Sequence, residues 1–139
     1  MKKISLLLTA VLGCISLTGC SAQNNNGTDA GKDKQNTYTQ ISQEEAKALM
    51  DNETNYIILD VRTEEEFSEG HIKGAILIPD YDLEKNAERI LTNKDQLILV
   101  YCRSGRRSKN AASSLAALGY TNVKEFGGII DWKYGTVTE

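Results

Sequence analysis

The chain has 139 residues, which is enough for one domain with a substantial core and too few for two domains of ordinary size. Apolar residues make up 40% and charged residues 25%, and the net charge is −3 at pH 7. This charge balance argues against a nucleic acid as partner, because nucleic-acid-binding domains are usually basic. With one histidine and three cysteines, we expect no metal site and no other cofactor.

Residues 1–19 have the pattern of a secretory signal peptide. The pair Lys2-Lys3 supplies positive charge, and residues 4–17 carry no charge. Such a stretch is shorter than the roughly 20 apolar residues of a transmembrane helix and matches the core of a signal peptide. The next residues, Leu17-Thr18-Gly19-Cys20, resemble the lipobox of bacterial lipoproteins. That resemblance implies cleavage before Cys20, diacylation of this cysteine and an extracytoplasmic protein anchored to a bacterial membrane. The alternative is an ordinary secretory signal with an incidental cysteine.

Residues 20–37 are predicted to be a lipidated flexible linker in front of one folded domain at 38–139. The linker is almost entirely polar, so it cannot bury enough apolar surface to offset the entropy of ordering. Because Cys14 leaves with the signal peptide and Cys20 carries lipid, Cys102 is the one thiol expected to stay free. An unpaired cysteine in an exported protein is unusual and suggests chemistry.

From residue 38 onward, helix and strand patterns alternate along the chain. Helices are predicted, in chain order, from the capping boxes Ser42–Glu45 and Thr63–Glu66 and from apolar spacing over 83–91. A fourth helix is predicted over 107–118, where Gly119 is placed to end it. Strands are predicted from apolar runs at 56–61, 75–78, 97–101 and 123–126. Strands that are apolar on both faces and alternate with helices predict an α/β fold, with a mainly parallel sheet covered on both sides.

The strongest candidate for chemistry is the segment 102–108, CRSGRRS, which follows a buried strand and enters a helix. In open α/β sheets ligands bind at the carboxyl ends of strands, where loop amides and a helix N-terminus attract anions. Gly105 permits a backbone conformation that a side chain would forbid. These amides and the adjacent arginines favour a thiolate, so we expect the pKa of the Cys102 thiol to lie below its usual value. The alternative is an inert buried cysteine beside solvated arginines.

This segment resembles the active-site loop of the rhodanese family, in which a cysteine is followed by four residues, an arginine and a small hydroxyl residue. Further family motifs follow the same order: LDVRTEEEFSEGHIKGA at 59–75, AALGYTNV at 116–123, and Gly-Gly-Ile with Trp132 at 127–132. The resemblance covers essentially the whole domain and implies a rhodanese-like three-layer α/β/α fold. Leu77 departs from the pattern, because the family usually has asparagine two residues before the proline; we interpret this as local structural variation.

The resemblance also implies a thiosulfate sulfurtransferase with Cys102 as catalytic residue. Cys102 would attack the outer sulfur of thiosulfate, release sulfite and keep the sulfur as a persulfide, which a thiol or cyanide would then accept. The small anionic donor, thiosulfate or a persulfide, would be bound by the rest of the loop: Arg103, Ser104, Gly105, Arg106, Arg107 and Ser108. Arg103 and Arg106 are expected to contact the donor, and Arg107 to fold its guanidinium back over the loop. Ser108 is expected to cap the helix or to donate its hydroxyl to the sulfur.

Other residues of the family motifs are expected to be structural. Asp60 and Arg62, at the end of a neighbouring strand, are expected to support the loop as an ion-pair network. His71, the only histidine, is expected to stabilise a turn rather than form a protease-like dyad with Cys102. Trp132 is expected to pack in the core.

Three other functions stay open at this stage. Phosphatases and arsenate reductases of the related superfamily have five residues between cysteine and arginine, whereas Arg107 here follows Cys102 after four. The shorter loop favours sulfur over phosphate. A non-catalytic rhodanese-like module that binds a partner is the second alternative, although such domains often lose the cysteine. A thiol-redox role of Cys102 is the third, and it uses the same nucleophile.

Overall fold

The computed structural model describes residues 37–139. The predicted signal peptide, Cys20 and all but the last residue of the predicted linker lie outside the described residues. The elements in chain order are β1 (Thr39–Gln40), α1 (Gln43–Asn52), β2 (Tyr56–Asp60), α2 (Glu64–Glu69), β3 (Ala75–Leu77), a 3-10 turn (Asp80–Asp82), α3 (Leu83–Ile90), β4 (Leu97–Cys102), α4 (Arg106–Ala117), β5 (Val123–Gly128) and a second 3-10 turn (Ile129–Asp131). Across residues 37–139, no helix combines the length and apolar character that crossing a membrane requires.

The strands form one five-stranded sheet in the order β1-β5-β4-β2-β3, and every pairing within it is parallel. All six residues of β4 are buried, as expected for the central strand of a parallel sheet. β2 and β4 pair from Tyr56–Leu97 to Asp60–Tyr101, so their carboxyl ends lie side by side. This is the α/β fold with a parallel sheet that the alternating pattern predicts, and it places the end of β4 at the edge where ligands bind.

Each face of the sheet carries its own apolar cluster. One cluster joins alternate residues of β2 and β4 to α3 and α4, and includes Leu59, Ile98, Val100, Leu83, Ala87, Ala111, Ala112 and Leu115. The other joins the opposite faces of these strands to α1 and the C-terminal segment, and includes Ile58, Leu99, Tyr101, Ala46 and Phe126, with Trp132 packed against it. Burial of these side chains is the main favourable term holding the helices on the sheet. The result is a three-layer arrangement.

Both predicted capping boxes are present. The Ser42 hydroxyl accepts the Glu45 amide at 3.1 Å, and the Ser42 amide donates to the Glu45 carboxylate at 2.8 Å. Thr63 and Glu66 make the same reciprocal pair at the start of α2, at 3.3 and 3.1 Å. These contacts satisfy amide groups that have no partner inside the helix. α4 begins one residue earlier than predicted, and β5 runs two residues further, to Gly128.

Candidate active site

Cys102 is the last residue of β4 and is buried, with 1% of its surface exposed. The pairing of β4 with β5 shifts register between Val100 and Cys102, and Cys102 pairs with Gly128. The ladder is therefore irregular at the cysteine, where the chain leaves the sheet and turns towards α4. The thiol is free.

Gly105 turns the loop into α4. Its φ of +97° is in the left-handed region, where a side chain would be strained. The Gly105 amide points at the Cys102 sulfur and donates to Sγ at 3.1 Å. The glycine and the inward-turned amide are both features that the sequence predicts for an anion-binding loop.

Two opposing effects act on the pKa of the Cys102 thiol. Burial disfavours the thiolate and raises the pKa, but the Ser108 hydroxyl and the amides of Ser108, Gly105 and Ser104 outweigh it, so the pKa lies below its ordinary value. The Ser108 hydroxyl has a single proton, however, and its shortest contact is with Glu125, at 2.6 Å. We therefore attribute the lowered pKa chiefly to the amides at the start of α4.

The three loop arginines have different surroundings. Arg103 and Arg106 are exposed, and neither forms an ion pair with a residue in the part of the chain that the structure describes. Arg107 donates through Nη1 and Nη2 to the two carboxylate oxygens of Glu66, each at 2.8 Å. Arg103 and Arg106 are thus available to an anion, whereas Arg107 is held by α2.

The sequence patterns do not place Glu66 at the site, but its carboxylate binds two partners there. Besides binding Arg107, its carboxylate accepts the Thr63 amide in the capping box of α2. The hydrogen bonds from Arg107 lower the pKa of Glu66 to about 2, because they favour the ionised carboxylate. The first turn of α2 is thereby attached to the first turn of α4, beside the loop.

Ser108 lies behind the loop and is completely buried. Its Oγ donates to Glu125 Oε1 at 2.6 Å and also lies 3.1 Å from the Gly105 carbonyl oxygen. The N-cap of α4 is Gly105, which has no side chain to act as a cap. Two roles are predicted for Ser108, and helix capping is therefore wrong. The second role is a hydrogen bond to the sulfur, but the closest partner of the hydroxyl is Glu125.

Glu125 is a site residue that the sequence patterns did not identify. It lies on β5, is 2% exposed, and accepts the Gly127 amide at 2.8 Å as well as the Ser108 hydroxyl. It falls two residues after Val123, a core residue, and alternation along a strand places both side chains on one face. That spacing is the signal from which its burial could have been predicted.

Gly128, at the end of β5, packs directly against the backbone of the loop. A Cβ atom added at Gly128 would lie 2.2 Å from the Arg103 carbonyl oxygen and 2.5 Å from Ser104 Cα. No side chain fits at this approach, so glycine is required there. The Gly128 carbonyl also accepts Gln43 Nε2 of α1 at 2.7 Å.

Asp60 and Arg62 form a buried ion pair, with Arg62 Nη2 and Asp60 Oδ2 2.6 Å apart. The Arg62 guanidinium also donates to the Gly70 carbonyl at 2.7 Å and lies 5.7 Å from the centre of the Tyr101 ring. The pair therefore braces the end of α2 and the residue before Cys102. The predicted ion pair is present, but it contacts Gly70 and Tyr101 rather than residues of the loop, so it does not support the loop directly as expected.

His71 contacts α2 and the C-terminal segment. Its Nδ1 lies 2.9 Å from the Phe67 carbonyl oxygen, and its ring stacks on Phe67 with 3.7 Å between centroids. Its backbone pairs antiparallel with Val137. These contacts stabilise the turn after α2. Residues 37–139 hold no group of His, Cys, Asp and Glu side chains arranged to bind a metal ion.

Known proteins are similar to this chain over the residues that form the site. The family model described as the rhodanese-like domain matches residues 42–134, which include Cys102 and its loop. The thiosulfate sulfurtransferase PspE of Escherichia coli (strain K12) is 36% identical over 73 residues, covering 52% of this chain and 70% of that protein. The putative sulfur carrier protein YrkF of Bacillus subtilis (strain 168) is 34% identical over 107 residues, covering 76% of this chain. This chain spans only 57% of the length of YrkF.

Solved structures show the same architecture. The crystal structure of a rhodanese-like domain protein from Staphylococcus aureus matches with a TM-score of 0.65 at 30% sequence identity. The match covers 73% of this chain and 98% of the other. The parallel sheet and the position of the cysteine loop after β4 agree with the family match over 42–134. The chain therefore belongs to the rhodanese-like domain family, which includes its sulfurtransferase relatives.

Proposed function

We propose that this protein is a sulfurtransferase that carries a sulfane sulfur on Cys102. In the first step the Cys102 thiolate attacks the outer sulfur of thiosulfate. The sulfur–sulfur bond of thiosulfate breaks, sulfite leaves with the bonding electron pair, and Cys102 holds a persulfide anion. In the second step cyanide or a thiolate attacks the terminal sulfur, and the Cys102 thiolate is released. A low-molecular-weight persulfide serves as donor in the same way.

The observation that carries this proposal is the buried Cys102 sulfur with the Gly105 amide donating to it at 3.1 Å. The lowered pKa of the thiol favours the thiolate, which is the attacking species in sulfur transfer. Preorganised amides that stabilise negative charge on the thiolate also suit the persulfide anion that replaces it. No general base is needed when the nucleophile is already ionised.

The charge around the loop supports an anionic donor. Arg103, in the loop, and Arg106, at the start of α4, are exposed, and they attract a small dianion by long-range electrostatics. A cleft of about 390 Å³ beside the loop is lined by Arg103 together with Arg62, Glu66, Gly70 and Ile130. Its size suits a small donor or a low-molecular-weight thiol acceptor.

The position of Arg107 argues against phosphatase chemistry. Both of its terminal nitrogens are bound to Glu66, so this guanidinium is not free to surround a tetrahedral oxyanion. The loop also has four residues between Cys102 and Arg107 rather than five. Both features favour a single sulfur atom as the group that the loop encloses.

We propose further that the protein works outside the cytoplasm, anchored to a bacterial membrane through lipid on Cys20. This part rests on the signal-peptide pattern of 1–19 and on Leu17-Thr18-Gly19-Cys20, all outside the described residues. The polar segment 21–37 would serve as a tether between the lipid and the domain.

The proposed activity is tested by intact mass. In the full chain carrying Cys14→Ser and Cys20→Ser, Cys102 is the sole thiol. Incubation with thiosulfate should yield a species heavier by one sulfur atom, and cyanide should remove that sulfur as thiocyanate. Cys102→Ser should abolish both steps, whereas Glu84→Gln, on the exposed side of α3, should leave both unchanged. A folded protein that takes sulfur neither from thiosulfate nor from a low-molecular-weight persulfide would overturn the proposal.

A further inference from the structure

A buried carboxylate, Glu125, lies beneath the active-site loop and has no part in the mechanism given above. Its three hydrogen-bond donors are all neutral: the Ser108 hydroxyl at 2.6 Å, the Gly127 amide at 2.8 Å and Gln40 Nε2 at 3.3 Å. No cation pairs with it among residues 37–139. A buried carboxylate without a cation is costly, and this one lies directly under the loop.

Gly105 and Ser108 connect Glu125 with the reactive sulfur. The Gly105 amide donates to Cys102 Sγ at 3.1 Å, and a Cβ atom on the same glycine would lie 3.9 Å from Glu125 Oε1. The Ser108 hydroxyl lies between Glu125 and the loop, since it donates to Glu125 Oε1 at 2.6 Å and lies 3.1 Å from the carbonyl oxygen of Gly105, whose amide donates to the sulfur. One hydroxyl proton cannot be donated fully to two acceptors.

We propose that Glu125 is a positioning residue for sulfur transfer, which draws the Ser108 proton away from Cys102 and so keeps the sulfur nucleophilic. This proposal rests on the proposed function of Cys102 as a sulfur carrier. An ionised sulfur with fewer hydrogen bonds is more basic and attacks faster. The loop amides keep the sulfur ionised. Glu125 prevents a further hydrogen bond from Ser108, which would stabilise the thiolate and slow its attack.

Charged groups surround the loop: Arg103 lies within it, and the others are Arg106, Arg107 and Lys109 on α4, Glu66 on α2 and Glu125 on β5. Asp80, in the first 3-10 turn, acts on Arg107. Glu66 offsets the charge of Arg107 through the bidentate contact. Glu125 is therefore the carboxylate that acts on the loop from the sheet.

Glu125→Gln tests the proposal, because glutamine keeps the size of the side chain and can still accept from Ser108 but has no charge. The probe is iodoacetamide, and the protein is the full chain with Cys14→Ser and Cys20→Ser. The midpoint of the pH dependence of Cys102 alkylation should fall by about one pH unit, since a competing anion is removed. The plateau rate should fall about threefold, because thiolate nucleophilicity follows thiol basicity with a slope near 0.4–0.5. A merely loosened loop would expose the thiol and raise the plateau rate.

Single-turnover sulfur transfer provides a second measurement. Loading from thiosulfate, in which Cys102 is the nucleophile, should slow about threefold in Glu125→Gln. Unloading by cyanide, in which the Cys102 thiolate is the leaving group, should be as fast or faster, because a less basic thiolate leaves more readily. A structural defect would slow both half-reactions.

A control variant and a second background complete the test. Glu84→Gln, a charge-matched control on α3, should leave the alkylation midpoint unchanged. In a Ser108→Ala background, Glu125→Gln should shift the midpoint much less, since the bridging hydroxyl is gone. If the glutamine variant does not fold, Glu125→Asp replaces it and should shift the midpoint in the same direction by a smaller amount.

The proposal is overturned by a folded variant whose alkylation midpoint equals that of the parent. It is also overturned if the shift is as large in the Ser108→Ala background, because Glu125 would then act without Ser108. Failure of thiosulfate loading in the parent protein, together with the expected alkylation shift, would count against the proposed function and leave the effect of Glu125 on Cys102 in place.

Discussion

Arg107 and Glu66 face each other at the starts of α4 and α2, and each of the two terminal guanidinium nitrogens lies 2.8 Å from a carboxylate oxygen. Glu66 is also the residue that closes the capping box of α2 with Thr63. The helix that carries the loop is therefore attached to a helix 41 positions earlier in the chain. The geometry around Cys102 depends on α2 as well as on the loop itself.

Glu66→Gln should destabilise the fold in a pH-dependent manner. At pH 7 we expect a loss of about 1 kcal/mol in the free energy of unfolding, as for a partly exposed bidentate pair. The pKa of Glu66 is lowered from 4.5 to about 2, so its contribution is complete above the ordinary value and is lost as pH falls through the folded value. The difference between parent and variant, measured by urea unfolding, should therefore shrink between pH 4.5 and 2. A difference that stays constant over this range would contradict the assignment.

Arg107→Ala and Arg103→Ala should differ in kinetic effect. Loss of Arg107 breaks the attachment to α2 and should slow sulfur loading by roughly tenfold or more, the equivalent of one charge-assisted hydrogen bond. Loss of the exposed Arg103 should mainly raise KM for thiosulfate and reduce the dependence of kcat/KM on salt. Steady-state kinetics at two ionic strengths separate the two effects. Equal effects of both variants on KM alone would show that Arg107 has no role in ordering the loop.

Gly128→Ala should be strongly destabilising. The added methyl group would lie 2.2 Å from the Arg103 carbonyl oxygen, and backbone atoms must move to relieve the overlap, at a cost of about 3 kcal/mol. Gly135→Ala is the control, because no atom lies within 4 Å of its Cβ position and only its φ of +87° is unfavourable. That control should cost about 1 kcal/mol. Urea unfolding measures both, and equal losses would refute the close approach.

Insertion of one residue between Gly105 and Arg106 should impair sulfur transfer, because the amides would no longer converge on one sulfur atom. The insertion should also displace Arg107 from Glu66, so the enlarged loop should gain some activity on an aryl phosphate. Both activities are measured on the parent and the insertion variant. A parent protein that hydrolyses the aryl phosphate efficiently and ignores thiosulfate would show that loop length does not select sulfur.

Cys20→Ser should release the protein from the membrane without changing its activity. The substitution removes the proposed attachment point for lipid and leaves residues 37–139 intact. Membrane fractionation with a mass measurement of the N-terminal peptide detects the change. If the variant stays as firmly bound as the parent, the anchor lies elsewhere.

Features that depend on nearby residues could be predicted from the sequence. The capping boxes join residues three positions apart, Ser42 with Glu45 and Thr63 with Glu66, and such local hydrogen bonds leave a pattern in the chain. The buried runs of β2 and β4 likewise predict a parallel sheet. The amide-rich loop after Cys102 follows from a glycine at the junction of strand and helix.

Features that depend on strand order could not be predicted in the same way. Ser108 and Glu125 meet because β5 lies next to β4 beneath α4, and no local pattern encodes that neighbour. The spacing of Glu125 from Val123 indicates a buried position, but it does not indicate that the partner of Glu125 is Ser108 on α4. β1 contains two exposed residues, so hydrophobic periodicity does not mark it. The contact between Ser108 and Glu125 spans 17 positions, so the local pattern predicts only a helix cap or a hydrogen bond to the sulfur for Ser108.

Gly128 packs against backbone atoms of the loop, namely the Arg103 carbonyl oxygen and Ser104 Cα. Every residue has these backbone atoms, so the packing does not depend on which side chains the loop carries. The side chains of Arg103, Ser104 and Arg106 are exposed and take no part in this backbone contact. The donor contacts that we propose for Arg103 and Arg106 therefore lie at positions other than those that hold the loop in place. A combinatorial library randomised at these three positions, with Gly105 and Gly128 held constant, would sample new sulfur donors without the loss of folded protein that usually accompanies active-site diversification.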